Sequence, residues 1–170
     1  MLPGSENITQ GQDLERLIER LHDRNDKECR QARNLLVEIG RRAVPALVNA
    51  LQNSSNENIR WEVVEALAQM ADPIAAPALV QALMDDSQDV RGAAARALII
   101  LDRAAINPLL EALTKQFNSV WLRNGAHHVL HVLKQRARLN REELRVFEAL
   151  EDIAPEIEVP WAAAYVLNVI

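Results

Sequence analysis

Residues Asp72–Leu83 read DPIAAPALVQAL, and Asp89–Leu98, just downstream, read DVRGAAARAL. Continued to Leu101, the second stretch places Val90, Ala93, Ala94, Ala97, Leu98 and Leu101 at the three-, four- and seven-residue spacing of one helix face. Leu79, Val80 and Leu83 do the same in the first stretch. Pro77 falls where a helix tolerates proline, in the first turn, whose N–H groups have no intrahelical acceptor. The polar break Asp85–Asp89 separates the two segments. The pair therefore reads as two short helices joined tightly.

The pair recurs along the chain. PALVNAL at Pro45–Leu51 matches PALVQAL at Pro77–Leu83, with PLLEAL at Pro108–Leu113, VFEAL at Val146–Leu150 and LIERL at Leu17–Leu21 as further copies. Their last leucines, at 21, 51, 83, 113 and 150, step by 30, 32, 30 and 37 residues. A second motif alternates with it, anchored on Cys29, Arg60, Arg91, Arg123 and Pro160 at steps of 31, 31, 32 and 37. Two motifs keeping one period define a helical repeat. With the second motif as helix A and the first as helix B, the spacing predicts B over 13–22, A over 27–40, B over 43–53 and A over 58–70. It continues with B over 74–85, A over 88–101, B over 104–116, A over 120–136, B over 141–151 and A over 160–170. Ser87 and Asp72 are the expected N-caps.

The pattern V-R-x-x-A-A-x-A-L of Val90–Leu98, with D-P-x-A-x-P-A-L-x-x-A-L of Asp72–Leu83, resembles the HEAT repeat of the bilin-lyase type. The resemblance covers residues 13 to 170. It implies an all-α, right-handed α-solenoid of four to five HEAT-like hairpins, with B helices lining the concave side. It also makes Arg60, Arg91 and Arg123 the inter-repeat arginines and Asp72 the turn aspartate. Two copies depart from the pattern. The first has Cys29 in the arginine position and passes from Gly40 directly to Arg41. The fourth has a longer turn, Lys134–Arg141, without proline.

Composition agrees. The chain has 170 residues, 49% of them hydrophobic and 25% charged, enough apolar content to fill a core. Few glycines and prolines argue against an all-β fold. The first twelve residues carry neither a basic nor an apolar signal region and read as a flexible lead-in; 13–170 reads as a single domain ending in an incomplete repeat. The apolar runs are too short to span a membrane. A single cysteine, Cys29, suits a reducing compartment, so a cytoplasmic protein is expected. The net charge of −5 gives no attraction to nucleic acid or anionic lipid.

Catalytic patterns are absent from the sequence: no Gly-rich phosphate loop, no Ser/His/Asp order and no CxxC. His127 and His131, four apart, could share one metal ion, but a third ligand is missing at a useful spacing. His127 reads instead as a half-buried gap filler, with His128 and His131 solvated. No enzyme activity, metal or cofactor is expected. The three arginines read as structural, bonding to carbonyls or to the turn acids Asp72 and Asp102.

The expected functional surface comes from the B helices. Two positions before each B-helix leucine lie Glu19, Asn49, Gln81, Glu111 and Glu148; one position after lie residues including Gln52 and Glu151. With the leucines facing the core, these columns face the concave side and carry no Lys or Arg. They suit a protein partner with a basic or polar surface, and the expected function is a non-catalytic interaction scaffold. The alternative implied by the resemblance is a bilin lyase subunit or a phycobilisome-handling protein, with Trp121, Arg123 and the histidines as the only aromatic and basic cluster to hold a tetrapyrrole. The N-terminal helix should cap the stack, with Leu14, Leu17, Ile18 and Leu21 inward. Pro160–Ile170 is apolar nearly all round. It should seek cover, either from continuation in a longer chain or from a second copy through Trp161, Tyr165 and Val169.

Overall fold

The structure, a computed structural model, describes residues 13–22, 27–152 and 155–169. The expected lead-in, 1–12, and Ile170 lie outside the described residues. No strand occurs among those described, and the chain is all-α. It divides into two compact units, Met1–Ala75 and Ala76–Ile170.

In the first unit, α1 covers 13–19 and runs into a 3-10 turn at Arg20–His22. Helices α2 (Lys27–Ile39), α3 (Val44–Asn53) and α4 (Glu57–Met70) follow, with a 3-10 turn, Gly40–Ala43, between α2 and α3. Helix α4 packs on both α2 and α3. Leu21, Leu36, Leu47 and Leu67 are fully buried between them. Each such side chain contributes about 1.5–3 kcal/mol of burial. Ile18 and Leu21 turn inward while Glu15, Arg16 and Glu19 face water, as a capping helix requires.

The second unit contains α5 (Ala76–Ala82), α6 (Gln88–Leu101), α7 (Ile106–Lys115), α8 (Val120–Gln135), α9 (Arg141–Leu150) and α10 (Pro155–Val169). Helix α5 packs on α6 and α7, and α6 packs on α8. Gly125 is where α8 closes on its neighbour: a Cβ there would sit 2.9 Å from Leu83 Cδ2.

Several boundaries differ from the sequence reading. The starts of three predicted B helices are 3-10 turns: Gly40–Ala43, Pro73–Ala75 and Asp102–Ala105. The last predicted helix begins earlier, at Pro155, and holds Pro160 inside it. Pro155 supplies a favoured first-turn residue, and Glu156 and Glu158 favour the positive end of the helix dipole, which moves the start upstream. Ser87 precedes α6 with extended backbone, but its side chain makes no capping hydrogen bond. Its N–H donates instead to Asp85 Oδ1, at 2.8 Å. Asp72 does cap: its Oδ1 accepts from the Ile74 N–H at 3.0 Å.

One backbone feature repeats that the residue types conceal. A positive φ recurs just past the end of each of the first four A helices: Gly40 (φ 68°), Ala71 (φ 50°), Asp102 (φ 54°) and Ala137 (φ 55°), although Asp102, with ψ −126°, lies outside the left-handed helical well. A glycine stands at only the first. At the fourth, the Arg138 N–H donates to the Leu133 carbonyl (2.9 Å) and the Ala137 N–H to Lys134 (2.9 Å), the paired bonds of a Schellman C-cap.

The terminal packing also differs from a simple stack. Helix α10 packs most extensively on α7, then on α9, while α9 packs on α8. It buries Val159, Ala163 and Val166. The last helix thus packs chiefly on the earlier B helix α7, whereas the A helices before it pack on the A helix of the preceding repeat, as α4 does on α2 and α8 on α6.

Candidate functional site

The three repeat arginines do one job. Each lies in the first turn of its A helix and reaches back to the carbonyl six residues earlier. Arg60 Nη1 donates to Ser54 O at 2.9 Å. Arg91 Nη1 donates to Asp85 O at 2.6 Å and Asp86 O at 2.9 Å. Arg123 Nη1 donates to Phe117 O. The guanidinium ties down the loop entering the helix, where carbonyls lack helical partners. Its partners are these carbonyls, not the turn acids. Asp72 pairs with Arg41 (3.3 Å) and Asp102 with Arg138 (3.0 Å). Cys29, in the arginine position of the first copy, is buried.

Two buried carboxylates were missed in the sequence. Glu62 on α4 is fully buried and receives Arg33 Nη1 of α2 at 2.7 Å. Glu143 on α9 is equally hidden and receives Arg103 Nη1 at 2.7 Å. Its Oε2 also accepts from the Asn140 N–H, while Asn140 Oδ1 accepts from the Glu143 N–H, closing a capping box. The spacing N-x-x-E at 140–143 was the available signal. Glu62 gave none, because burial of a charge depends on a partner distant in sequence.

The expected partner-binding positions are all exposed: Glu19, Asn49 and Gln52 in the first unit, and Gln81, Glu111, Glu148 and Glu151 in the second. Their contacts are those of surface groups. Glu111 lies 3.8 Å from Lys115, Glu151 3.5 Å from His127, and Gln81 accepts from Gln116 at 3.4 Å. Asn49 Oδ1 accepts from Asn53 at 2.8 Å. Glu111 and Glu148 sit on helices that both pack against α10.

His127 is half-buried and stacks on Phe147, with ring centres 5.2 Å apart. His131 stacks on His127 at 6.0 Å and meets Gln135 at 2.9 Å. Among the described residues no group of three His, Cys, Asp or Glu is placed to hold a metal ion. The aromatic and basic residues considered for a tetrapyrrole have separate neighbours. Trp121 lies under Arg91, Arg123 bonds Phe117 O, and His127 stacks on Phe147.

On α10, Trp161 is 76% exposed and Tyr165 50% exposed, joined by Ile157 at 58%. The Val169 side chain lies outside the described residues. No helix among those described is long and apolar enough to cross a membrane.

These features define a class: an all-α chain of repeated hairpins, three of whose A helices are tied by an arginine to the preceding loop. The family model for HEAT repeats matches residues 14–99 and again 44–131. The chain belongs to the HEAT-repeat family. No curated protein matches the sequence significantly. Among solved structures, it is similar to a designed armadillo repeat protein in complex with the peptide (KR)4. That match has 19% identity and a TM-score of 0.38, over 91% of this chain and 80% of the other. It is also similar to an engineered protein at 22% identity and a TM-score of 0.36, over 96% and 83% of the two chains.

Proposed function

We propose that this HEAT-repeat chain is a non-catalytic scaffold that binds a protein partner of basic or polar surface through the exposed columns of its B helices. Repeat proteins present extended surfaces to other proteins. The observation that carries the reading is the state of the column side chains. Glu19, Asn49, Gln52, Gln81, Glu111, Glu148 and Glu151 are exposed, and four of the seven are acidic. Their intramolecular pairs are solvent-facing ones, which cost little to exchange for a partner's. A cytoplasmic setting belongs to the same reading, motivated by a lone, buried thiol at Cys29.

The test is peptide binding followed by fluorescence anisotropy. A labelled Lys/Ala-rich peptide should bind and a Glu/Ala-rich one should not, with affinity falling steeply as salt rises. Glu111→Lys with Glu148→Lys should abolish the preference. Equal binding of both peptides, or no effect of the double change, would overturn the assignment to these columns.

A further inference from the structure

Helix α10 carries an apolar face that the chain itself leaves uncovered. At about 100° per residue, Ile157, Trp161 and Tyr165 fall on one side. Val159, Ala163 and Val166, which are buried, fall on the opposite side. The exposed three extend over about 12 Å of helix. An indole this exposed forfeits the burial of a large aromatic surface.

The charges around this face are arranged with opposite signs at its two ends. Glu158 is exposed at the N-terminal end and makes no ion pair among the described residues. At the other end, Arg145 of α9 sets its guanidinium 5.8 Å from the centre of the Tyr165 ring; it pairs with Glu142 on its own helix at 3.2 Å and stays half exposed, open to a second carboxylate. Glu158 and Tyr165 project to the same flank of the stripe, by the same helical arithmetic.

We propose that this face binds a second copy of the chain, α10 against α10 and antiparallel, about a two-fold axis through Trp161. Such an axis reverses the helix direction but keeps the flank. Ile157 then meets the second copy's Tyr165, Trp161 meets its own equivalent, and Glu158 reaches the second copy's Arg145. The face is therefore self-complementary in shape and in charge, as an isologous interface requires. It is small beside a permanent interface, so the association belongs with the transient, reversible ones. This inference is independent of the B-helix columns, since it uses none of their residues.

Sedimentation equilibrium of the full chain tests it. Reversible dimers should form with rising concentration, and Trp161→Glu should leave a monomer with an unchanged helical circular dichroism spectrum. Glu158→Arg should weaken the dimer about tenfold, because the two-fold axis doubles each altered pair. Arg145→Glu should do the same, and the two changes together should restore it. Independently, Trp161→Cys should cross-link to itself under mild oxidation much faster than Ile74→Cys, an exposed position in the first unit; Cys29 is buried and does not compete. A monomer up to millimolar concentration, a dimer that survives Trp161→Glu, or a double variant weaker than either single change would overturn the proposal.

Discussion

The Arg91 guanidinium lies 4.4 Å over the centre of the Trp121 ring, joining the first turns of α6 and α8. The same group holds the carbonyls of Asp85 and Asp86, so it fastens its own entry loop and touches the next A helix at once. Arg91→Ala should therefore lower stability by about 1–3 kcal/mol, the cost of part-buried acceptors left unmet. Arg91→Lys should recover only part of this, because an ammonium cannot serve two carbonyls in one plane while stacking on an indole. Chemical denaturation measures both; an unchanged midpoint for the alanine variant would refute the structural role.

Glu62 offers a sharper test of the first unit. Arg33→Ala leaves a carboxylate buried without its cation and should cost about 3–5 kcal/mol. Arg33→Met with Glu62→Leu removes both charges and should come close to wild type. If the double variant is no better than Arg33→Ala, the ion pair is not what makes the single change costly.

Left-handed C-caps occupied by alanine are sites for stabilisation. Ala71→Gly should raise stability by about 0.5–1 kcal/mol, since a Cβ in that conformation costs more than the extra chain entropy glycine brings. Gly40→Ala should do the opposite by about 1 kcal/mol. No atom lies within 4 Å of the added methyl, so the loss would be conformational. Thermal melting of both variants checks the sign.

Two helical glycines should respond in opposite senses. Gly125→Ala drives a methyl into buried Leu83 and should cost about 1–3 kcal/mol. Gly92→Ala meets only Arg96 Nη1 at 3.7 Å and should gain up to about 1 kcal/mol in helix propensity. Equal effects from the two would show that close approach is not what selects glycine at 125.

The repeat was legible because it is written in local terms. Apolar spacing, prolines and the entry arginine all act within a few residues of themselves. The helix boundaries of α6, read as 88–101, are those observed, Gln88–Leu101. The role of Arg60, Arg91 and Arg123 was half legible. A recurring cation near a loop implied a structural partner, but whether it met a carbonyl or an acid depended on the path of the loop. Trp161 and Tyr165 were legible as a face seeking cover, but which opposite face the chain itself buries was not, because α10 is apolar on most sides in sequence.

By itself, the sequence determined the helical repeat, its period and the residues each helix turns inward, since these follow from backbone geometry and the burial of apolar side chains nearby. Tertiary structure alone decided that α10 lies against α7 and α9, which of its faces is covered, and that Glu62 and Glu143 are buried against arginines 29 and 40 residues away. The reason is physical. A helix carries its apolar stripe wherever it goes, but which surface covers the stripe, and which charge answers a buried carboxylate, depends on packing between segments distant in the chain.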